Sequence, residues 1–146
     1  MTKILIKKKS NKITLPKYET EGSSGMDIAA HIEKEIVIEP GDKAIIPTGF
    51  SISIPKGFEV QIRPRSGLAA KEGISVLNTP GTIDADYRGE IKVILINLGK
   101  KKFFIENGMR IAQMVVSPII QAQFKEVEFL PETKRGESGF GSTGKK

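Results

Sequence analysis

Phe50-Ser51-Ile52-Ser53-Ile54-Pro55-Lys56-Gly57-Phe58-Glu59-Val60-Gln61-Ile62 is the stretch that decides the fold class. Its large apolar residues alternate with serine, glutamate and glutamine, the period of two that lays one strand face on a core and leaves the other wet. Pro55-Lys56-Gly57 has turn chemistry, with proline presetting one φ and glycine free to take a positive one. The pattern predicts two strands joined as a hairpin with one wet face. Outward from it, residues 4–6, 36–38, 44–46, 91–96, 111–116 and 124–129 read as further strands. Turn signals stand between them at Pro40-Gly41-Asp42, Thr79-Pro80-Gly81, Leu98-Gly99 and Glu106-Asn107-Gly108. Val93-Ile94-Leu95-Ile96 has no polar alternate, so both faces of that strand are expected to be covered by protein. Only Ser66 to Glu72 suits a helix, and a short one. The sum is an all-β jelly roll or β-sandwich with one short helix.

The 146 residues make one domain, expected over residues 1–130, with a mobile glycine-rich tail over 131–146. Fifteen glycines, eight prolines and a hydrophobic fraction of 38% suit a turn-rich fold better than a helical bundle. No internal repeat is visible. With no cysteine and a single histidine, zinc clusters, disulfide frameworks and thiol catalysis are excluded. No apolar run approaches the roughly 18 residues of a membrane span, and the N-terminus lacks a signal-peptide core. A cytoplasmic protein with no membrane partner is the expectation. Lys3, Lys7, Lys8, Lys9 and Lys12, with no acid among them, read as a solvated edge strand whose lysines deter edge pairing. The formal net charge of +6 suits an anionic ligand without choosing between nucleotide, nucleic acid and membrane.

Only five of the cations are arginine, and four lie in glycine-bearing stretches: Arg65-Ser66-Gly67, Arg88-Gly89, Gly108-Met109-Arg110 and Arg135-Gly136. Arginine beside a glycine turn presents a planar fork to phosphate or carboxylate where backbone can also approach. Alternatively, such arginines pin their own turns. In the tail, Arg135-Gly136-Glu137-Ser138-Gly139-Phe140-Gly141-Ser142-Thr143-Gly144 combines exposed amides, the hydroxyls of Ser142 and Thr143 and a fork, a set able to wrap several phosphates. Phe140 has no core to join there, and stacking on a nucleobase would explain it.

A second cluster is Asn78-Thr79-Pro80-Gly81-Thr82-Ile83-Asp84-Ala85-Asp86-Tyr87-Arg88-Gly89. On an extended strand Asp84 and Asp86 share one face, able to bind a metal or supply a general base, and Asp84 between apolar neighbours is the one expected to be partly desolvated. Asn78 offers the donor and acceptor pair that reads a base edge. The third cluster, Arg63-Pro64-Arg65-Ser66-Gly67-Leu68-Ala69-Ala70-Lys71, sets Ser66 at a helix start, where its hydroxyl joins the free first-turn amides. Helix capping accounts for Ser66 but not for two arginines just before it. His31 reads as a surface residue without a partner motif.

Ser24-Gly25-Met26-Asp27-Ile28-Ala29-Ala30, Pro64 to Lys71, Asn78 to Gly89, Gly108-Met109-Arg110-Ile111-Ala112-Gln113-Met114 and Arg135 to Gly144 resemble, in order and spacing, the five motifs of the homotrimeric deoxyuridine triphosphatases. Ser24 and Met26 depart mildly from the family pattern, at positions that touch no reacting group. The resemblance implies an all-β jelly roll whose active sites lie between three subunits. It also implies hydrolysis of dUTP to dUMP and pyrophosphate with Mg²⁺, which limits uracil in DNA and supplies dUMP for thymidylate synthesis. Nucleic acid is not an expected partner. By position it makes Asp84 the residue that activates water against the α-phosphorus, with Tyr87 beneath the deoxyribose and Asn78 and Gly81 reading uracil. Arg65, Ser66, Gly67 and Gln113 would hold the phosphate chain. Arg135, Gly141, Ser142 and Thr143 would close over it, with Phe140 on the base. Asp27 would hold a water of the Mg²⁺ shell or pair with Arg110. A dCTP deaminase of the same fold, or a bifunctional relative of it, would place a glutamate where this chain reads Ile83-Asp84-Ala85-Asp86-Tyr87. A non-catalytic jelly-roll regulator would have no use for the arginine, serine and phenylalanine of the tail.

Overall fold

Phe50, Ile52, Ile54, Val60 and Ile62 are all buried and belong to one core cluster, as their alternation requires. They reach it from two different sheets, however, and not as a hairpin. In the computed structural model, which describes residues 2–144, the strands are β1 (Leu5–Lys8), β2 (Gly25–Ala29), β3 (Ile36–Ile38), β4 (Lys43–Ser53), β5 (Phe58–Arg63), β6 (Ile74–Val76), β7 (Gly81–Ile83), β8 (Glu90–Asn97), β9 (Phe103–Ile105) and β10 (Arg110–Pro118). One sheet has the order β1-β4-β8-β6, the other β2-β10-β5-β7, and β3 pairs with β9 alone. Pro55-Lys56-Gly57 therefore carries the chain from one layer to the other, with Gly57 at φ +89°. Opposed sheets let the inner faces of β4 and β5 close one core between them, which a two-stranded ribbon cannot do. This is the sandwich expected, with different pairing.

The stretches around 44–46 and 50–54 merge into the eleven-residue β4. Its register with β8 shifts between Pro47 and Ser51. At this irregularity the Thr48 hydroxyl donates to Ile91 O at 2.6 Å and Gly49 N–H donates to Glu90 Oε1 at 2.9 Å. Proline cannot donate to a ladder, so a bulge with side-chain partners is the usual solution. Strand β1 takes the sheet edge with its lysines, as the charge run suggested.

One strand expectation is met on a single face within this chain, and another fails. Val93 and Leu95 are fully buried, but Ile94 and Ile96 are only half-buried on the outer face, where Ile94 stands opposite the 61% exposed Ile45. The central strand of this sheet is thus apolar on both faces but covered by its own chain on one. Residues 124–129 form no strand, and Phe124 is 96% exposed, because after Pro118 no strand edge of this chain pairs with that segment. Residues 119–144 contain neither helix nor strand. Lys145 and Lys146, at the end of the expected tail, lie outside the described residues. Among the described residues no helix is long and apolar enough to cross a membrane.

Helix α1 spans Ser66–Glu72, as read from sequence, and ends where Gly73 adopts φ +70°. The Gly73 N–H returns to Ala69 O and Leu68 O, the left-handed cap that glycine favours. The helix meets the core through half-buried Leu68, while its start faces solvent. Asn97, fully buried, donates to Ile38 O and Lys101 O and accepts from Gly99 N, so its polar atoms are spent on the fold.

Candidate active site

Strand β10 lies between β2 and β5, so Gln113 sits opposite Asp27 on one side and Arg63 on the other. Three segments far apart in sequence become neighbours through this pairing. Asp27 Oδ2 accepts from Arg110 Nη1 at 3.1 Å and lies 3.2 Å from Arg65 Nε. Arg65 Nη1 also donates to Arg110 O at 3.3 Å, and Gln113 Nε2 donates to Pro64 O at 3.0 Å. One carboxylate between two guanidiniums leaves a net positive cluster with its forks oriented, an arrangement suited to phosphate oxygens. Of the two alternatives for Asp27, the observed one is the ion pair, made with Arg65 as well as Arg110.

Ser66 does not cap the helix. Arg65 is the N-cap residue, in extended conformation, Ser66 is the first helical residue, and no side chain caps the first turn. The capping role that sequence alone allowed for Ser66 is thereby overturned. Its hydroxyl and the first-turn amides remain available beside Arg65. Gly67 follows with open space where a side chain would be.

The Asn78–Gly89 segment departs from the extended reading. Strand β7 pairs with β5 only through Ile83, and the chain then turns, Tyr87 N–H donating to Asp84 O at 3.1 Å. Asp84 and Asp86 therefore lie on a turn and are both exposed, so the desolvation expected for Asp84 is absent in the single chain. They border a hollow of ≈ 700 Å³ together with Lys56, Arg88, Ile119 and Gln121. Arg88 pins this turn, Nη1 donating to Ala85 O at 2.7 Å and Tyr87 O at 2.9 Å, which is the structural reading of an arginine beside glycine. Tyr87 Oη donates to Glu90 O at 3.1 Å. Asn78 lies against Gly81, where a Cβ would come within 3.3 Å of its Nδ2.

Glu90 anchors the far side of that turn. Its carboxylate pairs with Lys9 and accepts from Gly49 N–H. Desolvation pushes its pKa up, but the Lys9 hydrogen bond, the Gly49 amide and the charges of Lys9 and Lys92 outweigh it, so the pKa is held below the ordinary glutamate value. His31 is half-buried rather than on the surface, its ring against Gly49, on the wall of a cavity of ≈ 380 Å³.

The tail stands apart. Arg135 Nε donates to Ser138 O at 2.8 Å, and local turns follow at Gly136, Ser142 and Gly144. Phe140 is fully exposed with φ +51°, and Gly141 has φ +86°. Among the described residues, no hydrogen bond or ion pair joins the tail, the Asp84 turn and the arginine cluster to one another. Two glycines matter more than their motifs implied. A Cβ on Gly25 would stand 2.2 Å from Gln113 Oε1, and one on Gly89 would stand 2.3 Å from Tyr87 Oη. Nothing in the linear sequence signals either contact.

The chain matches the dUTPase family model over residues 11–144. It is 60% identical over 145 residues to the deoxyuridine 5'-triphosphate nucleotidohydrolase of Rickettsia bellii, covering 99% of this chain and 97% of that protein. Identity to the protein of the same name from Ehrlichia canis is 58% over 142 residues, covering 96% and 93%. Among solved structures, it superposes on the Staphylococcus bacteriophage 80alpha dUTPase with dUpNHpp at a TM-score of 0.84 and 30% identity, covering 99% of both chains.

Proposed function

This chain belongs to the dUTPase family, and from that membership we propose that it hydrolyses dUTP to dUMP and pyrophosphate by attack of water on the α-phosphorus. The observation that carries this reading is the cluster of Asp27, Arg65, Arg110 and Gln113 around an uncapped helix start. It offers two oriented guanidiniums, an amide and free backbone N–H groups to a polyphosphate, electrostatic positioning of the kind phosphoryl transfer needs.

Arg65, Ser66, Gly67 and Gln113 hold the phosphate chain, and Asp27 keeps the Arg65 and Arg110 forks in place. Asp84 takes the proton of the attacking water. Asn78 and the Gly81 backbone read uracil, and the Tyr87 ring packs under the deoxyribose. Arg135, Gly141, Ser142 and Thr143 close over the phosphates, with Phe140 stacked on the base. Because these groups occupy three separate places in one chain, a complete site needs three chains, and a homotrimer with shared sites supplies them. The same assembly would cover the outer isoleucines of β4 and β8 and the bare apolar side chains of residues 119–130, and would desolvate Asp84. The sandwich and the tail then act as one unit, in the cytoplasm where nucleotides are pooled.

The donor set bears on the metal. Among the described residues no three acidic or histidine side chains converge, and Asp27 is engaged by two arginines. A resident metal held by side chains alone does not fit, whereas Mg²⁺ that arrives on the triphosphate with its waters does. Bound there, it neutralises phosphate charge. The test is to assay the purified protein for pyrophosphate release from Mg·dUTP beside ammonia release from dCTP. Pyrophosphate from dUTP alone is expected. Ammonia from dCTP, or no turnover of either, would overturn the reading.

A further inference from the structure

Tyr87 and Gly89 stand closer than any side chain at 89 would permit. A Cβ there would lie 2.3 Å from Tyr87 Oη, 2.5 Å from Cζ and 2.9 Å from Cε2. The outer half of the phenol ring thus fills the volume that residue 89 leaves empty. Gly89 is not among the glycines with positive φ, so its backbone does not demand glycine. The ring does. Its hydroxyl is tied to Glu90 O, at the start of β8. That point is itself held, through the Glu90 carboxylate on Gly49 N–H and Lys9 and through Ile91, which is fully buried and accepts the Thr48 hydroxyl. Arg88 fastens the preceding turn to Ala85 O and Tyr87 O. Ring, turn and sheet are therefore joined by one set of contacts, and the ring takes its place in them because residue 89 has no side chain.

We propose that Gly89 is a specificity-determining position: by presenting no side chain, it lets the Tyr87 ring lie in the orientation that closes the space of a ribose 2′-hydroxyl. The proposal rests on the assignment of Tyr87 to the sugar. Gly89 itself touches no substrate and acts by positioning Tyr87. An alanine at 89 forces the ring out and breaks its hydrogen bond to Glu90 O, opening room beside C2′.

The experiment compares kcat/KM for dUTP and UTP in the wild type, Gly89→Ala, Tyr87→Ala and the double variant, all as the full-length assembled protein. Gly89→Ala is expected to lower the dUTP-to-UTP ratio by about 10- to 100-fold, the range set by a single hydroxyl contact. In the double variant alanine at 89 has no ring to strike, so it should add nothing to the loss caused by Tyr87→Ala alone. A second readout is independent of turnover. The chain has no tryptophan and two tyrosines, so in a Tyr18→Phe background Tyr87 is the sole strong fluorophore, and acrylamide should quench it more when residue 89 is alanine. An unchanged ratio in Tyr87→Ala would remove the sugar assignment and the proposal together. A lowered ratio in Tyr87→Ala beside a wild-type ratio in Gly89→Ala would overturn the role of Gly89 alone. If Gly89→Ala does not fold, the double variant must fold, because the ring is gone; its failure too would overturn the proposal.

Discussion

Replacing Gly25 by alanine tests the proposed phosphate-holding half of the site through a residue assigned to no substrate contact. Gly25 opens β2, and an added Cβ would meet Gln113 Oε1 at 2.2 Å, with Gln113 Cδ at 3.1 Å. Relief requires the amide to retreat by on the order of 1 Å, which is possible because Gln113 is flexible. The price is the Gln113 Nε2 bond to Pro64 O, now 3.0 Å, worth about 1 kcal/mol net. Alanine in place of a strand glycine returns about 0.5–1 kcal/mol of backbone entropy, since the φ here is not positive. Stability should therefore change by less than about 1 kcal/mol, a shift of a few degrees in Tm. Activity should change far more, because Pro64 O immediately precedes Arg65 and Ser66. Misplacement by about 1 Å costs up to 10²-fold, so kcat/KM for dUTP should fall about 10- to 100-fold and match Gln113→Ala. Pyrophosphate release and thermal melting are the assays. Wild-type kcat/KM in Gly25→Ala beside an impaired Gln113→Ala would refute the reasoning, and so would unfolding of Gly25→Ala.

Asp84→Asn keeps shape and removes the proton acceptor, so kcat should fall by at least about 100-fold, roughly 3 kcal/mol of barrier, while calorimetry still records dUTP binding; near wild-type turnover would end the assignment. Deleting residues 133–146 should leave a folded protein with little activity, and in randomly mixed trimers with Asp84→Asn chains about a quarter of sites should recover. No recovery in a verified mixed trimer would place Asp84 and its covering tail on the same chain. Glu90→Gln should lower Tm at pH 7, because a carboxylate whose pKa is depressed on folding stabilises above its unfolded value and loses that contribution as pH falls through the folded one. Melts from pH 7 down past the glutamate range should show the gap to wild type closing, and a gap independent of pH would contradict the Lys9 and Gly49 account.

Local chemistry was legible wherever a few adjacent residues decide the outcome. Helix α1 follows from Ser66 to Glu72 between a proline-bearing entry and Gly73, and β3, β5, β8 and β10 follow from β-branched runs bounded by turn residues. Strands β6, β7 and β9, three residues each like β3, lack its unbroken β-branched run and exist because β8, β5 and β3 pair with them. The apolar residues at 124–129 have strand composition but no pairing edge within the chain. The site divides in the same way. Each motif can be read one at a time, yet nothing linear joins Asp27 to Arg65 and Arg110 until β10 is laid between β2 and β5.

The sequence by itself determined the class of fold, the short helix α1 and the residue types proposed to meet a nucleotide, because periodicity, turn chemistry and charge are properties of neighbouring residues. Tertiary structure alone decided that Phe50–Ile54 and Phe58–Ile62 face each other across a core rather than along a hairpin, since an alternating strand specifies its buried face and not its partner. It also decided why residues 25 and 89 are glycine. The volume each leaves empty is filled by another side chain, Gln113 or Tyr87, and excluded volume is settled only once the chain has packed.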